Sequence, residues 1–254
     1  LYFEKAERLP RDTSVNQCSD GTIFYNYWSR SEPERLYVKW GGKEIDAVLP
    51  EGKIENIGTH GSSLYFSVNR KIYKVTFSPP AGIEVTFLRE QLQDELFFWG
   101  GWCSSCRDGK SVVYRMNEDS DSDGIVVDVE EDEMIGADLA GIHRGRLFYT
   151  ILKERLTEPS VRRLCNNVYM IELPDCQRTV SAYAQDSLNY LYLENGQHLF
   201  TLNTATLEFL PPLEIDINCV YFIAGVHNGV ITIRGITSYF DWHLMTARLP
   251  AGYS

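Results

Sequence analysis

Gly58-Thr59-His60-Gly61, Gly141-Ile142-His143-Arg144-Gly145 and Gly225-Val226-His227-Asn228-Gly229 echo one another, and each runs straight into an apolar, aromatic-rich segment. The two intervals between the three histidines are equal to within one position. Equal spacing over such a distance marks a repeated unit. Weaker copies of the same turn lie between them, at Ser19-Asp20-Gly21, Arg107-Asp108-Gly109 and Asp186-Ser187-Leu188-Asn189. Anchored at positions 21, 61, 109, 145, 189 and 229, six units follow one another, too unequal in length for a solenoid.

The segment after each turn sets the element type. Thr22-Ile23-Phe24-Tyr25, Leu64-Tyr65-Phe66-Ser67-Val68, Ser111-Val112-Val113-Tyr114, Leu147-Phe148-Tyr149-Thr150-Ile151, Tyr190-Leu191-Tyr192-Leu193 and Val230-Ile231-Thr232-Ile233 are short, β-branched and aromatic. Such runs, opened by Gly, Asn or Asp, are strands entered through tight turns. Third strands are expected at 36–40, 72–77, 125–127, 168–173, 199–202 and 242–245, and fourth strands at 45–49, 83–88, 179–183 and 207–210. No helical periodicity competes with this pattern. The sixth unit runs out near Leu249-Pro250, whereas Tyr2-Phe3-Glu4-Lys5-Ala6 precede the first. An open ring leaves an unpaired sheet edge, so the N-terminal residues are expected to close the last unit as its outer strand. Leu1-Tyr2-Phe3 also matches the end of a protease-recognition tag, except that the glutamine such a tag carries next is Glu4.

Ser63-Leu64-Tyr65-Phe66 followed by Ile72-Tyr73-Lys74-Val75 resembles the blade pattern of the six-bladed β-propeller superfamily, and the resemblance extends over the whole chain. It implies an all-β fold, a six-bladed β-propeller of mostly four-stranded antiparallel blades. The expected domain is single, 1–254, with blades near 11–51, 52–92, 93–133, 134–182, 183–214 and 215–250 plus the strand 1–6. Kelch repeats need a Gly-Gly doublet in every blade, but here the doublets are Gly41-Gly42 and Gly100-Gly101, separated by more than the length of one blade. No Trp-Asp ending recurs either. The resemblance concerns architecture, because one propeller scaffold hosts enzymes, receptors and adaptors alike.

A chain of 254 residues with 44% hydrophobic content is long enough to bury a sizeable core. Its net charge of −11 disfavours nucleic acid, which needs a cationic footprint. No apolar stretch is long enough to span a membrane. Six scattered cysteines and the lack of an Asn-x-Ser/Thr site point to an intracellular setting, cytoplasmic or nuclear.

Four patterns bear on chemistry. Asp119-Ser120-Asp121-Ser122-Asp123-Gly124-Ile125 running on to Glu130 places Asp119, Asp121, Asp123, Ile125 and Glu130 at the liganding positions of a twelve-residue calcium loop. Position nine is Val127, and the flanks read as a hairpin rather than as two helices. The alternative is a self-repelling, solvated acidic loop from Asn117 to Glu133. His60, His143 and His227 recur in alternate units, where three imidazoles could surround an axis and hold a transition metal. At a turn they more simply hydrogen-bond backbone. Cys103-Ser104-Ser105-Cys106 has the spacing of half a zinc site, but no second pair matches it, which favours free thiols.

The fourth pattern is a face. Loops from second to third strand and from blade to blade open on one side of a propeller, and the long ones are expected at 29–35, 117–124, 153–164 and 235–241. They or their flanking strand ends carry Trp28, Arg30, Arg35, Arg155, Arg162, Arg163, Tyr239, Phe240 and Trp242, residue types that dominate binding hot spots. No nucleophile–base pair or phosphate-cradling loop is recognisable. The expectation is therefore a non-catalytic module that binds a protein or peptide as scaffold or adaptor, with no cofactor unless the acidic loop takes calcium. The rival is a calcium-dependent hydrolase of the six-bladed lactonase type, for which only Glu55, Asn56, Asp138 and Asp186 are candidate inner-strand polar groups.

Overall fold

In Ser63–Val68 every side chain is buried, so the alternation of a strand faces apolar surroundings on both sides. Leu64, Phe66 and Val68 point into one apolar cluster while Tyr65 points into another. A strand of this kind belongs to a sheet packed face to face with two neighbours. The computed structural model describes every residue except 99, 119–123, 176–180, 216–218 and 239–240.

The chain opens with β1 (Glu4–Leu9) and then builds one sheet after another. β2 (Thr13–Gln17), β3 (Ile23–Tyr27), β4 (Arg35–Trp40) and β5 (Lys43–Asp46) form the first, and β6 (Asn56–His60), β7 (Ser63–Val68), β8 (Lys71–Ser78) and β9 (Gly82–Glu90) the second. β10 (Leu96–Phe98), β11 (Trp102–Arg107), β12 (Lys110–Arg115) and β13 (Ile125–Val127) form the third, and β14 (Asp138–His143), β15 (Arg146–Lys153), β16 (Ser160–Cys165) and β17 (Val168–Pro174) the fourth. The fifth holds β18 (Ser181–Ala184), β19 (Tyr190–Asn195), β20 (His198–Asn203), β21 (Glu208–Phe209) and β22 (Leu213–Glu214), and the sixth β23 (Val220–His227), β24 (Val230–Ser238) and β25 (Asp241–Arg248). β1 returns to pair antiparallel with β25, from Glu4 opposite Thr246 to Leu9 opposite Trp242. The result is a six-bladed β-propeller whose last blade is closed by the N-terminal strand.

Six apolar clusters fill the six gaps between neighbouring blades. Phe24, Leu36, Phe66 and Val75 occupy the first gap, Ile72, Val112 and Tyr114 the second, and Val113, Leu147 and Val168 the third. Phe148, Leu191 and Leu202 fill the fourth, Tyr192, Tyr221 and Ile231 the fifth, and Leu9, Tyr25, Tyr37 and Leu244 the sixth. Burying one such large side chain contributes roughly 1.5–3 kcal/mol, so the gaps rather than the axis hold the core. Polar ties cross them as well. Glu95 lies between blades two and three and accepts from Arg89 Nη1 and Nη2 at 2.9 and 2.7 Å, from the Tyr114 hydroxyl at 2.8 Å and from Leu92 N at 2.9 Å. Burial opposes its ionisation, but these donors outweigh that and hold its carboxyl below the usual range.

Three details differ from the sequence-based expectation. In blade three the turn from first to second strand is Gly100-Gly101, not Arg107-Asp108-Gly109, which joins the second strand to the third. The segments 111–114 and 125–127 are therefore third and fourth strands, and with position 101 as the anchor the six units become nearly equal in length. In blade four the order across the sheet is β14-β15-β17-β16, with β17 parallel to β15. The chain crosses to the outer edge first and then inserts β17, so the expected loop 153–164 contains an edge strand, and residues 181–183 of the fourth strand expected at 179–183 belong instead to β18 of blade five. In blade five the outer strand is split into β21 and β22, both on β20, where Pro211 and Pro212 cannot donate to a ladder.

The Gly-x-His echo is a contact between blades. A Cβ on Gly58 would lie 2.3 Å from the Gly100 carbonyl oxygen of the next blade, and one on Gly225 would lie 2.5 Å from Gln17 Cβ. The inner strands meet there at backbone distance. Gly58→Ala and Gly225→Ala are each expected to destabilise the fold by about 1–3 kcal/mol or more through overpacking. Phe66→Ala, which empties a fully buried site, is expected to cost about 3–5 kcal/mol. Urea unfolding of the three variants against the parent measures all of these.

Candidate functional sites: the axial channel and the loop face

Turns from first to second strand share one rim of the propeller. Ser19 N donates to the Gly61 carbonyl at 2.9 Å, linking such a turn of blade one to that of blade two. Two of the three echoed histidines, His143 and His227, make the same kind of link. His143 Nε2 donates to the Leu188 carbonyl at 2.8 Å, and His227 Nδ1 to the Ser19 carbonyl at 2.8 Å. Each clasps the turn of the following blade, four to five and six to one, which is the backbone-bonding role rather than a shared metal. Among the described residues no group of three or more His, Cys, Asp or Glu side chains comes together as a metal site. Cys103 and Cys106 stand at odd spacing on β11 and therefore on opposite faces of its sheet. Cys18, Cys103, Cys106 and Cys165 are free thiols, with burial as the main cause raising the pKa of Cys18 and Cys103.

The inner strands enclose a cavity of about 400 Å³ along the axis, lined from all six blades. Its apolar wall includes Val15, Ile57, Trp102, Leu139, Tyr183 and Phe222. Of the inner-strand polar groups anticipated from sequence, Asp138 lines it. Asn56 bonds Ser67 Oγ at 3.3 Å, Asp186 accepts from Arg144 N on the turn rim at 2.9 Å, and Glu55 is exposed. Sequence reasoning missed two arginines that also line the cavity, Arg115 and Arg234. They sit on β12 and β24, so inspection of first strands alone could not find them. The Arg115 guanidinium stacks 3.6 Å above the Trp102 ring and donates to the Ile142 carbonyl at 3.1 Å, with Asp186 at 3.9 Å. Arg234 lies over Phe222 at 4.5 Å and Trp242 at 5.2 Å and donates to the Thr13 carbonyl at 3.2 Å. Burial lowers both to about 10, which leaves them charged at neutral pH.

The opposite rim carries the loops from second to third strand and from blade to blade. Trp28 and Arg30 are exposed there, with Lys53 Nζ over the Trp28 ring at 5.0 Å. Arg155 is exposed on the 154–159 loop with a left-handed φ of 63°. The other residues expected on this face have different settings. Arg35 opens β4 and bonds Asp46 and Glu44 of β5. Arg162 and Arg163 stand on β16 at the outer edge of blade four. There Arg162 pairs with Glu133 at 3.1 Å, and Arg163 bonds the Cys165 carbonyl at 3.2 Å and Asn166 Oδ1 at 3.1 Å. Trp242 is half-buried on β25, and Tyr239 and Phe240 lie outside the described residues. Of the expected loop 117–124, residues 117, 118 and 124 flank the end of the third strand β12 and the start of the fourth strand β13, at the turn rim and not on this face. Asp119, Asp121 and Asp123 of the calcium pattern lie outside the described residues. Ile125 begins β13 with its side chain buried, and Glu130 is exposed.

A signal absent from the residue-type argument is apolar exposure. Trp28, Val48, Leu92 and Ile135 are all exposed and all lie on the 28–34, 47–55, 91–95 and 128–137 connections of this rim. No helix among the described residues is long and apolar enough to cross a membrane.

No protein-family model matches the chain, and no curated protein matches it. Solved structures of similar arrangement include a glutaminyl cyclase from Myxococcus xanthus, at 11% identity and a TM-score of 0.37, covering 97% of each chain. A luciferin-regenerating enzyme is similar at 10% identity and a TM-score of 0.46, covering 98% of this chain and 95% of that one. A chain of a mitotic checkpoint complex is similar at 11% identity and a TM-score of 0.40, covering 97% and 82%. None of them assigns a role to a residue of this chain.

The clasp of His143 makes stability depend on pH. Its ring is buried. Burial, partly offset by the bond to Leu188 and by Asp186, lowers its pKa below 6.5. The unfolded imidazole takes up a proton near pH 6.5 while the folded one does not, so stability is full above that pH and is lost as pH falls below it. His60 shifts in the same direction, again mainly through burial. The melting temperature is expected to drop between pH 7 and pH 5.5, and to drop less steeply in His143→Gln, which starts from a lower value.

Proposed function

We propose that this propeller is a non-catalytic interaction module that binds a protein or peptide through the rim carrying its blade-to-blade and second-to-third-strand loops. The observation that carries this reading is the set of exposed apolar side chains Trp28, Val48, Leu92 and Ile135 on four connections of that rim. Exposed apolar groups on scaffold-held loops, rimmed by polar residues, are the usual mark of an interaction surface. Around Ile135 the connection carries Asp128, Glu130, Glu131, Asp132 and Glu133. A segment with apolar anchors flanked by basic residues complements that surface, since charge at the margin guides encounter and apolar contact at the centre holds the complex.

The supporting architecture is tied together where the loops attach. Lys53 over Trp28 joins the 28–34 and 47–55 connections, and Arg162 with Glu133 ties the 128–137 connection to the edge of blade four. Pull-down with the wild-type domain followed by quantitative mass spectrometry identifies candidate partners. For a partner engaged at this rim, the combined variant Trp28→Ala, Val48→Asp and Ile135→Asp is expected to weaken binding at least ten-fold while the melting temperature stays within a few degrees. Retention of every wild-type partner by that folded variant refutes the assignment.

A further inference from the structure

The axial cavity is charged against the rest of the molecule. The chain carries a net charge of −11. Yet the charged groups lining the cavity are two arginines and one aspartate, Asp138. Arg115 belongs to blade three and Arg234 to blade six, which face each other across the axis of a six-membered ring. Each guanidinium lies over an aromatic ring of the same wall, Trp102 or Phe222.

Hydrogen bonding narrows the chemistry. Arg234 Nε and Asn16 Nδ2 both belong to cavity-lining residues, are buried, and meet no acceptor from the protein. Both are donors. Among the described residues Arg234 has no carboxylate within ion-pair distance, whereas Arg115 has Asp186 only at 3.9 Å. Asp12 acts on Arg234 only from beyond ion-pair distance, and buried donors without acceptors are costly, so a cationic fork with no carboxylate in contact suits an anionic acceptor most of all. The remaining wall is aromatic and aliphatic, with a volume in the range that encloses a small organic molecule.

We infer that the axial channel is a binding site for a small organic carboxylate with an apolar or aromatic body, its carboxylate held by Arg234 and Asn16 and its body against the aromatic wall. Arg115 on the facing blade adds a second positive charge, and the negative potential outside leaves the channel as the place where an anion is stabilised. This site is separate from the loop rim, and testing it needs no protein partner.

The test uses 3-phenylpropionate, its neutral amide 3-phenylpropionamide and inorganic phosphate as probes, titrated into the wild-type chain by calorimetry and by saturation-transfer NMR. Saturable one-to-one binding of the acid, at least ten-fold tighter than the amide, is expected. Arg234→Gln, checked for an unchanged melting temperature, is expected to weaken the acid at least ten-fold and leave the amide unaffected. Equal binding of acid and amide by the wild-type chain overturns the assignment without reference to any variant, as does a lack of saturable binding of the acid at millimolar concentration. Phosphate bound as tightly as the acid overturns the assigned apolar body.

Discussion

Where blade two meets blade three and blade six meets blade one, the inner strands come closer than two side chains allow. Glycine resolves this at Gly58 and Gly225, where the contact is backbone against backbone or backbone against Gln17. Two positions later a histidine reaches out of the strand end, and His143 and His227 bond the turn of the following blade. Blade six combines the two, with Gly225 against Gln17 and His227 on Ser19, whereas blade two shows the close approach at Gly58 and blade four the clasp of His143. Blades one, three and five receive these contacts. These contacts all run from an even-numbered blade to the one after it, which matches the two-blade period of the echo in the sequence.

Closure is the second constraint, and it couples the chain ends. β1 supplies the hydrogen bonds that β25 would otherwise leave open, and Phe3 buries its ring beside Tyr221 at 6.4 Å. The other terminus also has a bolting role, since the Tyr192 hydroxyl donates to the Tyr253 carbonyl at 2.7 Å and the Tyr253 hydroxyl to the Pro211 carbonyl at 2.8 Å. Blades five and six are therefore joined by both ends of the polypeptide as well as by their apolar gap.

The electrostatics follow from this geometry. Gap-filling side chains of both faces are largely apolar, and the charged groups that enter the interior include the pair Arg89 and Glu95 and the ring-stacked Arg115 and Arg234. A paired group is structural, because its charge is already answered. Arg234 has aromatic neighbours and a backbone carbonyl but no counter-charge at contact distance among the described residues, which gives the channel its character.

The sequence by itself determined the number of blades, the identity of most strands and the closing role of the N-terminus. These depend on local turn chemistry, on strand propensity and on the need to pair an edge, all written in consecutive residues. Tertiary structure alone decided that Gly100-Gly101 rather than Asp108-Gly109 is the inner turn of blade three, because either pair makes a turn and only sheet order ranks them. It also decided that β17 slips between β15 and β16, placing Arg162 and Arg163 on an edge strand. The channel arginines were hidden for the same reason: a side chain from a second or third strand reaches the axis only when the packing of a neighbouring blade directs it there, and that direction is not encoded in the spacing of residues along one strand.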